Sequence, residues 1–166
     1  MVGNSRCARQ AKNAFADALV RFGQFAERAA RRAGEITDEA ERIRVLTSNV
    51  KGLARFFWFT VEFGLIREDG KVKVYGSGLV SSHAESAYSL TGEWEKKGRE
   101  VSGCAARPVP VYRPFDLERV CETDFEIDHY QPVYYVLESF EQLRDAMNKY
   151  AERVIGEAGL AKAAGR

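Results

Sequence analysis

A glutamate stands in the middle of the most apolar stretch of the chain. Residues 55–66 read RFFWFTVEFGLI, in which only Arg55 and Glu62 carry charge. A buried carboxylate without a partner is costly or takes up a proton. Two kinds of partner are common: an arginine such as Arg55, which would form a salt bridge, or a metal ion. The composition of the stretch leaves both alternatives open.

The other candidate residues carry weaker signals. The two histidines, His83 and His129, lie far apart and lack the spacing of a metal-binding pair. The run 76–78, Gly-Ser-Gly, follows a predicted strand, but a lone G-x-G is more typical of a tight strand-to-helix turn than of a phosphate site. Motifs such as G-x-x-x-x-G-K and G-x-S-x-G are absent from the sequence. The common nucleotide-binding and hydrolase classes are therefore not indicated.

Two long helices are expected to position Glu62. Apolar residues at helical spacing predict an amphipathic helix over residues 8–33, ended by Gly34. A second helix is expected to begin after Thr37 or Asp38, where either side chain could cap it, and to continue to Gly64. One apolar stripe is predicted on this helix, made of Ile43, Leu46, Val50, Leu53, Phe57 and Val61.

Shorter elements are expected after Gly64. In chain order they are a turn at Asp69-Gly70, a strand over 71–75, a short helix capped by Ser81 or Ser82 that runs through Glu85 and Tyr88, a surface loop over 91–110, a helix over 115–121, extended segments near 124–128 and 133–137, and an amphipathic helix from Phe140 to Val154.

Length, charge and cysteine content limit the functional classes. The chain has 166 residues, of which 45% are hydrophobic, and this predicts one domain over 1–155 followed by a loose tail over 156–166. Its 25 basic residues nearly balance its 24 acidic residues, so a nucleic-acid partner is not expected. No apolar run is long enough for a membrane span. An odd number of distant cysteines, Cys7, Cys104 and Cys121, favours a reducing cytoplasm.

Three stretches together resemble a known enzyme family. They are ARFFWFTVEFGLIRE (54–68), VYGSGLVSSHAES (74–86) and HYQPVYYVLESFEQLRDAM (129–147). Their order and separation resemble the C-terminal half of the catalytic domain of the tetrahydrobiopterin-dependent aromatic amino acid hydroxylases, and most of all its bacterial phenylalanine 4-hydroxylase branch. The resemblance covers about residues 14–155 apart from 91–113. It implies a mainly α fold with a small β element, a partial version of that catalytic domain.

The resemblance also implies an activity and a set of site residues. The family hydroxylates an aromatic amino acid, such as phenylalanine to tyrosine, with O₂, tetrahydrobiopterin and non-haem Fe(II) held by two histidines and a glutamate. Glu62 matches that glutamate, so by resemblance its partner is iron. The matching positions imply that Glu85 accepts a hydrogen bond behind the iron ligands. They further imply a substrate pocket lined by Trp58, Phe63, Gly78 and Ser81, and a pterin bordered by Ala54 and Phe57.

One departure from the family pattern concerns the two iron histidines. In the family they form an H-x-x-x-x-H pair upstream of the stretch that matches FADALVRFG (15–23), whereas residues 1–13 contain no histidine. Three explanations stay open: the chain is a truncated hydroxylase, it is a non-catalytic relative, or His83 and His129 rebuild a site with Glu62. The first functional hypothesis is a monooxygenase with Glu62 as metal ligand. The alternative is a metal-free interaction protein that exposes the aromatic face of 54–66 and associates with itself or with a missing N-terminal fragment.

Overall fold

The computed structural model describes residues 4–96 and 109–164, with the side chains of 4–15, 18 and 154–164 left aside. The elements follow in the order α1 (Asn4–Ala33), α2 (Glu39–Phe57), a π-helical turn (Trp58–Glu62), β1 (Leu65–Glu68), β2 (Lys71–Val74), α3 (Ser77–Ser81), α4 (His83–Ser89), β3 (Glu93–Trp94), β4 (Val111–Pro114), α5 (Leu117–Glu122), β5 (Val133–Leu137) and α6 (Phe140–Ala164). The predicted class, mainly helical with a small sheet, is confirmed.

The chain divides into two compact units. The first contains Met1–Ala54 and Phe140–Arg166, and the second contains Arg55–Ser139. The predicted division into a domain over 1–155 and a tail over 156–166 stays a prediction, although α6 continues through Ala164. Among the described residues, no helix combines the length and the apolar character that crossing a bilayer requires.

The first unit is built from α1, most of α2, and α6. The predicted cap of α2 is confirmed, because Oδ1 of Asp38 accepts a hydrogen bond from the N–H of Glu41 at 2.7 Å. This contact satisfies one of the free N–H groups at the helix start. Ala33, Ile36 and Val45 form a small buried cluster at the α1–α2 connection.

The predicted apolar stripe of α2 is wrong in its first half. Ile43 and Val50 are 56% and 64% exposed, whereas Val45, Asn49 and Gly52 lie on the buried face. The reason is the packing of Tyr150, whose hydroxyl donates to the Asn49 carbonyl at 2.9 Å. The same hydroxyl would lie 3.1 Å from a Cβ at residue 52, so a larger residue there would require Tyr150 to shift by a few tenths of an ångström.

A five-stranded sheet forms the frame of the second unit, in the order β2-β1-β5-β4-β3. The β1–β2 pair is antiparallel, and the other three pairs are parallel. All five residues of the central strand, β5, are buried. A core cluster lies on the sheet and consists of Leu65, Leu79, Tyr112, Tyr134 and Val136. The sheet therefore holds the second unit together through β5.

Several of the short elements agree with the sequence predictions and others do not. The turn at Asp69-Gly70 is confirmed, with φ of 53° and 74°, the pair of positive φ angles that a two-residue hairpin turn requires. The Ser82 cap of α4 is also confirmed. The strands β1, β3 and β4 were not predicted, and 124–128 forms no strand. Within the predicted 91–110 loop, residues 97–108 lie outside the described part of the chain.

A π-helical turn follows α2 and ends at Glu62. The N–H of Phe63 donates to the carbonyl of Trp58 at 2.8 Å, which is the i to i−5 bond of a π-helix. The hydroxyl of Thr60 donates to the carbonyl of Phe56 at 2.6 Å. The chain then turns into β1 at Gly64, where an added Cβ would overlap the Thr60 carbonyl oxygen and the Tyr75 ring. The exit from the π-helical turn thus depends on a glycine.

Replacing Gly64 by alanine tests this close approach. We expect G64A to lower the free energy of unfolding by about 3 kcal/mol, because a backbone carbonyl and a packed ring must both move. The measurement is urea unfolding followed by circular dichroism. The matched control is G23A in α1, where no atom lies within 4 Å of the added Cβ and where alanine should stabilise the helix by up to about 1 kcal/mol. Equal stability of G64A and the wild-type chain would contradict the packing argument.

Candidate functional site

Glu62 is half-buried at the end of the π-helical turn, between the buried Val61 and the half-buried Phe63. Its Oε2 lies 3.1 Å from the hydroxyl of Ser77, which lies equally far from the carbonyl of Val61. A serine hydroxyl has one hydrogen, so it serves one of these two acceptors at a time. Oε1 of Glu62 has no hydrogen-bond partner among the described residues. The carboxylate is therefore restrained on one side and open on the other.

The salt bridge between Arg55 and Glu62 is not formed. Arg55 instead donates to the carbonyl of Cys121 at 3.1 Å and forms an ion pair with Asp124. Within the described ranges, no lysine or arginine lies within ion-pair distance of Glu62. Arg55 is therefore wrong as the partner of Glu62, and no other cationic side chain among the described residues takes its place.

Gly78 brings the start of α3 against Glu62. A Cβ on Gly78 would lie 2.9 Å from Oε2 of Glu62 and 3.2 Å from Cζ of Phe63. Any larger residue would push the carboxylate or the ring aside, since such contacts are tighter than normal packing allows. The structure thus brings together three of the residues that the family resemblance selected.

Trp58 lies in an aromatic cluster beside this group. Its ring stacks on Phe125 at 4.3 Å between centroids and 13° between planes, and it packs on Phe63 at 4.5 Å and 33°. Trp58 and Phe63 are both half-buried, so part of each ring is open to a ligand. Aromatic faces and edges at this spacing suit the binding of a third planar ring.

The remaining predicted pocket residues are more exposed. The hydroxyl of Ser81 donates to the carbonyl of Gly78 at 2.7 Å within α3, and Ser81 itself is exposed. Ala54 is exposed and Phe57 is half-buried, both on the last turn of α2. Their predicted contacts with substrate and pterin stay predictions.

Glu85 lies on α4 in a poorly solvated position. Burial raises the pKa of its carboxyl, and the N–H of Gln131 and the hydroxyl of Tyr134 partly offset that rise. Oε1 of Glu85 and the hydroxyl of Tyr134 are both buried without a well-formed hydrogen bond. Burial and the facing Glu85 also raise the pKa of Tyr134 far above its ordinary value.

The histidines do not assemble with Glu62. Nδ1 of His129 lies 2.7 Å from Asp128 and 3.4 Å from Glu126. These three exposed side chains form the single group of three possible metal ligands in the described part of the chain, and neither Glu62 nor His83 belongs to it. The explanation in which His83 and His129 rebuild a site with Glu62 is therefore wrong. Glu62 fits the role of one carboxylate ligand, but the described residues do not complete an iron site around it.

Comparison with known proteins decides the family. A model of the biopterin-dependent aromatic amino acid hydroxylases matches residues 41–158. The chain belongs to this family. It is 43% identical over 94 residues to the phenylalanine-4-hydroxylase of Ralstonia nicotianae, which covers 57% of this chain and 25% of that protein. It is 34% identical over 139 residues to the tryptophan 5-hydroxylase of Xenopus laevis, which covers 84% of this chain and 24% of that one.

The hydroxylase fold is also found among solved structures. The iron- and phenylalanine-bound crystal structure of phenylalanine hydroxylase from Chromobacterium violaceum matches with a TM-score of 0.58 and 30% identity. The match covers 85% of this chain and 43% of that chain. The chain therefore spans less than half of this relative, and about a quarter of the curated hydroxylases named above.

Two side chains at the site were not singled out from the sequence. Ser77 restrains the carboxylate, and Gln131 accepts a hydrogen bond from Nε1 of Trp58 at 3.0 Å. Ser77 was recognised only as part of a Gly-Ser-Gly turn. A single buried glutamine has no spacing pattern of its own, and the one available signal was its place next to Pro132, directly before a strongly apolar strand.

The raised pKa of Glu85 predicts a pH-dependent stability. The folded state holds the proton of the Glu85 carboxyl more tightly than the unfolded state does. Protonation of Glu85 therefore stabilises the folded state, fully below the unfolded-state pKa, and this stabilisation is lost as pH rises through the folded-state pKa. E85Q stays neutral, so we expect its free energy of unfolding to rise relative to wild type as the pH increases above the ordinary glutamate pKa of about 4.3. Urea titrations of both proteins measure this difference, and the lowest pH serves as internal control. A difference that does not change with pH would contradict the assignment.

Proposed function

We propose that this chain forms the carboxylate-bearing part of the active site of a tetrahydrobiopterin- and Fe(II)-dependent aromatic amino acid monooxygenase, with phenylalanine as the substrate that becomes tyrosine. The observation that carries the proposal is Glu62, whose Oε1 has no hydrogen-bond partner among the described residues and whose neighbour Phe63 packs on the ring of Trp58. A carboxylate beside an aromatic cluster suits a site that acts on an aromatic ring. The family membership supports the same reaction class.

The aromatic ring of the substrate would bind against Trp58 and Phe63. The two rings offer faces and edges to a third ring, and each such contact contributes about 1 kcal/mol beyond buried area. Gly78 allows the start of α3 to lie directly against the carboxylate and the Phe63 ring, because an added Cβ would fall 2.9 Å from Oε2 of Glu62. The choice of phenylalanine is supported by the 43% identity to a phenylalanine-4-hydroxylase, compared with 36% to the tyrosine 3-monooxygenase of Bos taurus.

Glu62 would hold the metal through its open oxygen, while Ser77 restrains the other. Fe(II), when bound, supplies the activation of O₂ that the organic groups cannot perform alone. The restraint from Ser77 limits rotation of the carboxylate, and such supporting hydrogen bonds orient metal ligands in other proteins. The other ligands would come from outside the described residues.

For the remaining predicted site residues we propose the roles that the family resemblance implies. Ala54 and Phe57 would border the pterin, Ser81 would line the substrate pocket, and Glu85 would accept a hydrogen bond behind the metal ligands. The cytoplasm is the compartment we propose, in line with three cysteines that lie far apart in the sequence and form no C-x-x-C motif.

The alternative of a metal-free interaction protein has less support. It requires an exposed aromatic face over residues 54–66. Phe56, Phe59 and Val61 are at most 2% exposed. Phe59 packs edge-on against Tyr135 at 5.3 Å and against Phe125 at 6.3 Å, both within the second unit. Most of the apolar surface needed by the alternative is therefore already covered.

A hybrid enzyme tests the role of Glu62. Residues 41–158 would replace the matched segment of the Chromobacterium violaceum phenylalanine hydroxylase, and tyrosine formation would be measured with Fe(II), tetrahydrobiopterin and O₂. We expect activity in the hybrid and a loss of at least about a hundredfold in E62Q, because changes behind a metal ligand already cost up to that much. Bound iron should fall in parallel.

The matched control is E68Q in the same segment, since Glu68 is exposed and pairs with Lys73. We expect this variant to keep the activity of the hybrid within about twofold. Equal activity of the hybrid and its E62Q variant would contradict the metal-ligand role. A folded hybrid that hydroxylates tyrosine or tryptophan but leaves phenylalanine unchanged would contradict the choice of substrate.

A further inference from the structure

Gln131 is a buried amide whose hydrogen-bonding groups are all used by the fold. The residue is 2% exposed. Its Oε1 accepts from Nε1 of Trp58 at 3.0 Å, and its Nε2 donates to the carbonyls of Glu126 at 2.8 Å and His129 at 3.1 Å. An amide nitrogen has two hydrogens, so both are engaged. Buried amides with full partners are rigid, because any rotation breaks several bonds at once.

Only one orientation of this amide satisfies its neighbours. The indole N–H of Trp58 can only donate, and the two backbone carbonyls can only accept. Exchanging the oxygen and nitrogen of Gln131 would set donor against donor and acceptor against acceptor. The hydrogen-bond pattern therefore fixes the assignment that is ordinarily ambiguous for glutamine.

The hydrogen bond to Gln131 supplies a restraint that ring stacking does not. Phe125 stacks nearly parallel on Trp58, and this fixes the plane of the indole. Stacking is tolerant of sliding and rotation within that plane. The hydrogen bond from Nε1–H of Trp58 is directional and lies along the plane of the indole. It therefore fixes the rotation of the ring within that plane. Together the two contacts leave the indole one position.

The backbone of Gln131 is itself anchored on the sheet. The next residue, Pro132, accepts a hydrogen bond from the N–H of Val111 at 2.9 Å, and Val133 then begins the buried central strand β5. The N–H of Gln131 faces the carboxyl of Glu85 on α4. The side chain that holds Trp58 therefore lies two residues before the buried central strand of the sheet.

We propose that Gln131 is a positioning residue that sets the orientation of the Trp58 indole and thereby the shape of the wall that receives the substrate's aromatic ring. The inference rests on the proposed function, in which Trp58 contacts that ring. Gln131 acts through Trp58 and needs no contact with the substrate itself.

Hydrogen exchange of the indole N–H tests the positioning directly and without a ligand. The full chain is labelled with ¹⁵N-tryptophan, which gives one indole signal each for Trp58 and Trp94, and W94F assigns them. In Q131M, which keeps the side-chain length but removes the amide, we expect exchange at Trp58 to accelerate at least tenfold while Trp94 changes less than twofold. Q131E keeps an acceptor for Trp58, so its effect should be smaller. Q24M, the same change at an exposed glutamine of α1, is the matched control and should alter neither signal.

Binding of L-phenylalanine to the full chain, measured by calorimetry, tests the consequence for the site. We expect Q131M to weaken binding about tenfold and Q24M to leave it unchanged. In the W58F background, which lacks the indole N–H, the further effect of Q131M should fall below about twofold. A general loss of structure would instead weaken binding equally in both backgrounds.

Two results would overturn the proposal: unchanged Trp58 exchange in Q131M and Q131E, or faster exchange with unchanged phenylalanine affinity. The failure of the proposed function gives a different pattern. In that case the wild-type chain and W58F would bind phenylalanine equally, or neither would bind it, and the exchange result alone would decide whether Gln131 orients Trp58.

Discussion

The site depends on how closely the backbone can approach the end of the π-helical turn. The loop before α3 lies directly against this turn: the N–H of Gly76 donates to the carbonyl of Gly64 at 3.0 Å, and a Cβ on Gly76 would lie 2.5 Å from the nitrogen of Gly64. Only residues without side chains allow that contact. The approach places Ser77 within reach of Glu62, and everything proposed about the carboxylate follows from this position.

Local signals in the sequence predicted the local parts of the fold. Helix caps at Asp38 and Ser82 and the hairpin turn at Asp69-Gly70 depend on a few neighbouring residues, and the structure has all of them. The sheet order could not be predicted in the same way. Its parallel pairs join residues as distant as Leu65 and Val136, and no short pattern encodes such a pairing. The buried face of α2 was also missed, because Tyr150 from another helix selects Asn49 and Gly52 for it.

The residues of the candidate site fall into the same two groups, those that could be selected from the sequence and those that only the assembled fold brings together. The family likeness selected Trp58, Glu62, Phe63 and Gly78, and the structure brings these four together in one unit. Reasoning from charge alone left two kinds of partner open for Glu62, an arginine or a metal ion, and the arginine nearest in sequence, Arg55, pairs with Asp124 instead. Contacts made by single polar side chains, such as the hydrogen bond from Trp58 to Gln131, depend on the assembled sheet. They become visible only when the distant segments are placed side by side.

The π-helical turn has a consequence for how this segment can vary. Five residues, Trp58 to Glu62, occupy a turn that in an α-helix would close one residue sooner. Winding the same residues as an α-helix would instead rotate the residues that follow by roughly 100° about the axis, the rotation that one residue contributes. The direction of the carboxylate thus depends on the wider winding of this turn, and a substitution that favoured ordinary α-helical winding would redirect Glu62 even though the residue itself were kept.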